Sequence, residues 1–220
     1  MLIPAVFYIV YLYLNHAAIH MKFNEIESQL KKYCAGIAGA GGLGSNCAVS
    51  LARSGIGTLV IADFDKVEYK NLNRQYYFTD QVRMYKTDAL KANIERINPG
   101  VNLVMHKLKL NENNIAKVFA DCDIIVEAFD RDDQKEMLIE TVQSKLRGIP
   151  LIIGSGLAGF GSNETLHSRK IDDTLFVCGD ESTAAGDDLP PMAPRVCIVA
   201  NMQANLVIEI LLKKLTPGKR

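Results

Sequence analysis

Ten residues between positions 39 and 130 have the types and spacing needed to hold a nucleoside triphosphate. Residues 37–46 read IAGAGGLGSN, so Gly39, Gly41 and Gly44 satisfy a GxGxxG spacing and Gly42 adds a fourth glycine. Glycine permits a sharp turn between a strand and a helix, and its missing side chain lets a phosphate approach the backbone. The helix that follows presents free N–H groups and the positive end of its dipole to an anion. By itself this turn suits an NAD-dependent oxidoreductase as well as a nucleotidyl transferase. Asp63 ends the next apolar run, where a carboxylate can accept hydrogen bonds from ribose hydroxyls, and Asp65 joins it as a candidate nucleotide-binding residue.

Residues 62–75, ADFDKVEYKNLNRQ, narrow the choice. They deliver Asn71, Arg74 and Gln75 within five residues, a polar cluster for which hydride transfer has little use. A triphosphate needs directed donors: the Arg74 guanidinium can fork onto phosphate oxygens, and Asn71 and Gln75 add neutral hydrogen bonds. Lys86 follows Thr79-Asp80, read as a helix cap, and adds a point charge near the start of the next helix. Singly, Arg74 and Lys86 are ordinary surface charges; together in this context they point to phosphate. Residues 123–133 read DIIVEAFDRDD, placing Asp130 just past the end of an apolar run, where ligands bind in open parallel sheets. A carboxylate there can hold magnesium beside phosphates. The bland reading of Asp130 is a helix cap, a role that Asp132 fits as well, with Asp133 a solvated charge.

The elements that must position these residues alternate along the chain. Apolar runs at 34–39, 58–63, 102–107, 123–128 and 150–155 read as strands buried on both faces, and the stretches between them as helices. Leu43, Cys47 and Leu51 mark one helix; Leu90, Ile94 and Ile97 mark another that stops at Pro99-Gly100; Met137, Val142 and Leu146 mark a third. A last helix runs over 194–215. Residues 178–194, CGDESTAAGDDLPPMAP, read as a long mobile crossover loop. The fold class expected is α/β and Rossmann-like: a mainly parallel sheet flanked by helices, with a mixed C-terminal part.

With 220 residues, 48% hydrophobic and 23% charged, the chain suits one domain, assigned to 21–220. Its formal net charge of zero argues against a nucleic-acid partner. The five cysteines form no CxxC pair, so no zinc is expected, and buried thiols in a reducing cytoplasm explain them. Residues 1–20 form an apolar extension, too short for stable membrane insertion and lacking the basic start of a secretory signal. Met21 follows it and reads as a normal amino terminus. The four histidines lie outside every motif.

GAGGLGSN, DFDKVEYKNLNRQ, Lys86, RINP at residues 96–99 and EAFD at residues 127–130 resemble the ThiF/MoeB/HesA group, relatives of the ubiquitin-activating enzymes. The resemblance runs over about residues 31–212. It is nearest to the short ThiF branch, because this chain has EAFDR where longer relatives have DCTDN. It implies an adenylyltransferase that uses ATP and Mg2+ to activate the terminal glycine carboxylate of a ubiquitin-fold sulfur carrier, ThiS, for thiamin thiazole synthesis. A MoeB- or HesA-like role with another carrier stays open, as do an oxidoreductase and a non-catalytic carrier-binding scaffold. Carried over by motif, Gly39, Gly41 and Gly42 approach the nucleotide and Asp63 holds its ribose. Asn71, Arg74, Gln75 and Lys86 bind phosphates, and Asp130 positions the metal. Arg74, Lys86 and Asp130 are then the catalytic residues.

The group also implies a homodimer. Two departures stand out: no arginine precedes Arg53, so a trans-acting arginine known in longer relatives has no counterpart before the glycine turn, and their zinc-binding CxxC pairs are absent. In some ThiF proteins a cysteine in the crossover region links to the carrier; Cys178 and Cys197 are the candidates, and an uninvolved thiol is the preferred reading for each. The stretch 154–161, GSGLAGFG, is a second flexible segment suited to lining the carrier tail's channel.

Overall fold

Every apolar run singled out before residue 156 is a strand, and the helices between them lie where the apolar spacing puts them. The computed structural model describes residues 21–213; the apolar extension at 1–20 and residues 214–215 of the expected last helix lie outside the described residues. Helix α1 (Phe23–Leu30) precedes β1 (Cys34–Ala38), α2 (Gly42–Arg53), β2 (Thr58–Ala62) and α3 (Lys86–Ile97). Strand β3 (Asn102–His106), α4 (Ile115–Val118), β4 (Ile124–Glu127), α5 (Asp132–Lys145) and β5 (Leu151–Gly154) follow. The chain then adds β6 (His167–Lys170), β7 (Leu175–Gly179) and α6 (Ala193–Lys213).

The sheet has seven strands in the order β3-β2-β1-β4-β5-β7-β6, parallel except for β6 against β7. Strand β1 pairs with β2 on one side and β4 on the other, so the winding direction switches there. A crevice opens beyond the carboxyl ends of strands at such a switch. One face of the sheet carries α2, α3 and α6, with Leu43, Leu51, Leu90 and Val199 buried between them; the other carries Phe119 of the turn after α4 and Leu138 and Val142 of α5. Each fully buried side chain of this kind contributes about 1.5–3 kcal/mol.

Four local readings are corrected. Strand β3 lies at the sheet edge and is partly exposed, so it is not covered on both faces. Cys178 and Gly179 belong to β7 instead of the crossover loop. The apolar run LFVCG starts directly after a turn in which Asp172 Oδ1 accepts the N–H groups of Thr174 and Leu175 at 2.7 and 2.8 Å. Its partner β6, with the exposed sequence HSRK, is a charged edge that discourages further pairing and carries no apolar alternation to betray it. Thr79-Asp80 starts a separate 3-10 turn, and Tyr85 holds the N-cap position of α3. Arg131, not Asp132, holds that of α5, so both aspartates sit in its first turn, where they favour the dipole. Helix α6 is long and apolar enough by composition to cross a membrane, yet it packs on α2 with Val199, Ala200 and Val207 fully covered.

Candidate active site

The glycine turn is shaped by three contacts that admit no side chain and one opening. Gly39 has φ +99°, and a Cβ there would lie 2.9 Å from the Ala128 carbonyl oxygen. A Cβ on Gly44 would lie 1.9 Å from the Gly39 carbonyl oxygen, so α2 sits directly on the end of β1. One on Gly42 would meet Val196 Cγ1 of α6 at 2.9 Å. At Gly41 the nearest atom is Gln75 Nε2 at 3.9 Å, which leaves that backbone open to the crevice.

Segment 71–77 is stitched to this turn. Tyr77 donates its hydroxyl to Ala40 O at 2.7 Å, Tyr76 N–H donates to Ser45 Oγ at 2.9 Å, and Asn46 Nδ2 donates to both Gly42 O and Arg74 O. The Asp63 carboxylate accepts the N–H of Ala40 and of Asp65, each at 2.7 Å. Burial pushes the Asp63 carboxyl up, opposed by the charge of Lys86 and those two N–H groups. Lys86 is the first residue of α3; its side chain is buried and its Nζ pairs with Asp65 at 2.8 Å.

These elements enclose a cleft of about 640 Å³ at the carboxyl end of the sheet. Of the ten candidate residues, Gly39, Gly41, Gly42, Asp63, Asp65, Arg74, Gln75, Lys86 and Asp130 line it. Asn71 does not. Its Oδ1 accepts Glu68 N–H at 2.9 Å and closes the 3-10 turn that leads to Arg74, so its place in the structure is positional. Among the described residues Arg74 donates to neutral acceptors, Lys70 O and Asn73 Oδ1, and forms no ion pair. Gln75 is buried with its Oε1 lacking a partner.

Asp130 stands exposed on the cleft wall just beyond β4, with no hydrogen bond or ion pair among the described residues. No group of three or more His, Cys, Asp or Glu side chains suited to a metal gathers among the described residues. One carboxylate suits magnesium, which keeps several waters and takes its other ligands from phosphates. The cleft thus fits a metal that arrives with a nucleotide better than a resident one.

The far wall consists of residues 154–158 and 181–185. Here Asp180 would be raised by burial, but the N–H groups of Thr183 and Ser182, the Thr183 hydroxyl and Arg195 outweigh that and hold it well below the usual carboxylate range. Glu181, bonded first by Arg169 and then by His167, is lowered from 4.5 to about 2. Both groups bind fewer protons folded than unfolded. Their contribution is therefore complete above about pH 4.5 and lost as the pH falls toward 2. Thermal melting is expected to show an acid-side loss of stability across that window, reduced in Arg169→Gln. Asp63 and Glu127, raised by burial, act in the opposite sense, so the Arg169 variant isolates the loop.

The sequence model of the ThiF family matches residues 13–219. The chain belongs to the ThiF family. It is 34% identical over 196 residues to the sulfur carrier protein ThiS adenylyltransferase of Bacillus subtilis, covering 84% of this chain and 56% of that protein. It is 33% identical over 181 residues to the molybdopterin-synthase adenylyltransferase of Haemophilus influenzae, covering 80% and 74%. The chain spans half or less of other curated relatives it matches, 48% of one and 32% of another. Its fold is similar to that of the E. coli tRNA N6-threonylcarbamoyladenosine dehydratase TcdA, solved with AMP, at a TM-score of 0.78 and 18% identity, over 86% of this chain and 90% of that one.

Within this ThiF-family cleft, one ion pair was not legible. Lys135 Nζ donates to both Glu127 oxygens at 3.0 and 2.9 Å and to Gly154 O at 3.0 Å, while Glu127 also accepts the N–H of Phe129 at 2.6 Å. Glu127 is fully buried and Lys135 lines the cleft. The pair ties the ends of β4 and β5 together beside Asp130, and only the lone carboxylate closing an apolar strand hints at it. Lys135→Ala leaves that carboxylate buried without its cation, and urea unfolding is expected to show a loss of about 3 kcal/mol. The Cys178 thiol is fully covered in β7 and raised by burial, which fits an uninvolved thiol; Cys197 is half-buried on α6 and also raised by burial.

Proposed function

We propose that this chain is an ATP-dependent adenylyltransferase that activates the C-terminal glycine carboxylate of a ubiquitin-fold carrier protein. The observation that carries the reading is the convergence of Arg74 and Asp130, neither in an ion pair among the described residues, on a cleft that the open backbone of Gly41 lines. In the reaction a carboxylate oxygen of the carrier forms a bond to the α-phosphorus of ATP, the bond to the bridging oxygen breaks, and pyrophosphate leaves. No proton has to move. The demand is for alignment and charge neutralisation, which suits a site of Arg74, Lys86 and backbone N–H groups. Magnesium at Asp130, when bound with the phosphates, would neutralise negative charge on them. The Asp63 carboxylate takes the ribose, already aimed by the Ala40 and Asp65 N–H groups.

ThiS is the carrier proposed, with a role in thiamin thiazole synthesis. Supporting it are the EAFD sequence at residues 127–130 and a relative named for ThiS. A molybdopterin-type carrier is the second reading, favoured by a relative of equal similarity named for molybdopterin synthase. A homodimer in the cytoplasm belongs to the same proposal. The test is ATP–pyrophosphate exchange with magnesium, using ThiS-like and MoaD-like proteins that end in Gly-Gly. Exchange that needs one carrier and is lost in Asp130→Ala supports the reading. A folded, ATP-binding protein with no exchange for any carrier would make it a binding scaffold, and preference for NADH over ATP would restore the oxidoreductase.

A further inference from the structure

The far wall of the cleft is built around a buried ion pair that none of the phosphate-handling motifs includes. Arg195, in the first turn of α6, pairs with Asp180 just after β7; their side chains are only 8% and 3% exposed. A cation in the first turn of a helix is opposed by the helix dipole, so this position is held by its partners and not by local preference. The partners come from two segments, the turn at 162–165 and the end of β7. Arg195 Nη2 donates to Thr165 Oγ1 at 3.1 Å as well as to Asp180, and Nη1 donates to Ser162 O at 3.4 Å. The buried Nε has no partner among the described residues.

Asp180 is the second hub. Its Oδ1 accepts the N–H of Ser182 and of Thr183 at 2.8 Å, and its Oδ2 accepts the Thr183 hydroxyl at 2.8 Å. Thr183 Oγ1 in turn accepts Ala158 N–H at 3.2 Å. The two loops touch so closely that a Cβ on Gly156, at φ +73°, would lie 2.0 Å from Asp180 Oδ1. Gly156, Ala158, Ser182 and Thr183 all line the cleft beyond the ends of β5 and β7, with β1 and β4 between them and the end of β2 that carries Asp63. They are small and uncharged. Two backbone bonds, Asp180 N–H to Gly156 O and Glu181 N–H to Ser155 O, join the loops at their base, and the side-chain bonds beyond them run through Asp180, which Arg195 holds in place.

We infer that Asp180 and Arg195 are positioning residues for the acceptor: together they hold residues 156–158 and 182–183 at the separation that admits the carrier's tail. This rests on the adenylyltransferase reading above. It assigns the pair to the acceptor and not to ATP. Val196, the next residue on α6, packs on Gly42, so ATP affinity is the internal control for damage that spreads to the glycine turn.

Removing one partner leaves a buried charge and risks unfolding, so the informative protein is the double variant Asp180→Ala with Arg195→Met. Exchanging both members of a buried pair for apolar residues is often tolerated. Carrier KM in pyrophosphate exchange is expected to rise roughly tenfold or more, the scale of a misplaced reacting group. ATP Kd by calorimetry should stay within about twofold. Amide hydrogen exchange should quicken at 156–158 and 182–183 while that of 35–38 in β1 is unchanged. The single variant Arg195→Lys, which keeps a cation for Asp180, should recover part of the carrier KM. An unaltered carrier KM, or an ATP Kd that weakens in step with it, overturns the inference. If the wild-type protein adenylates no carrier, the functional reading fails separately. The loop-pinning role is then decided by amide exchange alone, and unchanged rates at 156–158 and 182–183 overturn it.

Discussion

Arg74→Ala is expected to lower carrier-dependent ATP–pyrophosphate exchange by about two to three orders of magnitude, the scale for losing one preorganised donor to developing charge. The reason is the charge balance of the cleft. Lys86 is paired with Asp65, Lys135 with Glu127 and Arg131 with Asp133, so those cations arrive largely neutralised. The remaining lysine of the lining, Lys109, has its Nζ over the Phe64 ring and comes from the chain after β3, apart from the glycine turn. Arg74 is bonded only to a carbonyl and an amide oxygen, and it reaches the cleft from a segment locked to the glycine turn by Tyr76, Tyr77 and Asn46. Its charge is available to the transferring phosphate. Arg74→Lys should recover only part of the activity, because an ammonium group cannot fork onto two oxygens. The fold should be unaffected, since the side chain packs mainly along Gly42 with its stem. Melting temperature near that of the wild type, together with the loss of exchange, is the required pattern.

The second large effect separates two glycines three residues apart. In α2, replacing glycine by alanine would ordinarily stabilise the helix by about 1 kcal/mol. At Gly44 the sign should reverse. The new Cβ would sit 1.9 Å from a backbone carbonyl, which cannot rotate aside, so α2 must lift from β1 and loosen Leu43, Cys47 and Leu51 in the core. A loss of about 3 kcal/mol or more is expected from overpacking of this kind. Gly41→Ala should cost far less stability: only Gln75 Nε2 lies near, at 3.9 Å, and although its backbone at φ −79°, ψ −148° lies outside the ordinary extended region, no backbone atom blocks a Cβ. Its methyl group would instead enter the space left for phosphate. ATP affinity is then expected to fall by about ten- to a hundredfold, or about 1.4–2.7 kcal/mol. Urea unfolding and ATP titration of both variants check the pair. Equal stabilities for Gly41→Ala and Gly44→Ala would contradict the geometry.

How much of this was legible in the sequence depends on whether a residue announces itself locally. The first five strands are apolar runs, most of them rich in Ile, Val and Leu, and the glycine spacing dictates a turn, so the Rossmann-like frame and its crevice follow from pattern alone. Strand β6 was invisible because its reason for being a strand is its partner β7, not its own exposed residues. Gly39, Arg74 and Asp130 were readable because each lies in a dense motif beside a predicted strand end. Asn71 lies in the same motif, yet the short turn bends its side chain to Glu68 N–H and away from the cleft. Glu127–Lys135 and Asp180–Arg195 join residues eight and fifteen apart across loops, and no spacing rule exposes such pairs. They are consequences of the closed fold.

The central claim is that the carrier's carboxylate attacks the α-phosphate of ATP in this cleft. The most direct measurement is intact-mass analysis of a Gly-Gly-terminated ThiS-like protein after incubation with the enzyme, ATP and magnesium, with released nucleotide identified in parallel. The account requires an AMP adduct on the carrier, pyrophosphate in equal amount, and loss of both with Arg74→Ala. Formation of ADP with a phosphorylated carrier would place the attack on the γ-phosphate instead and contradict it.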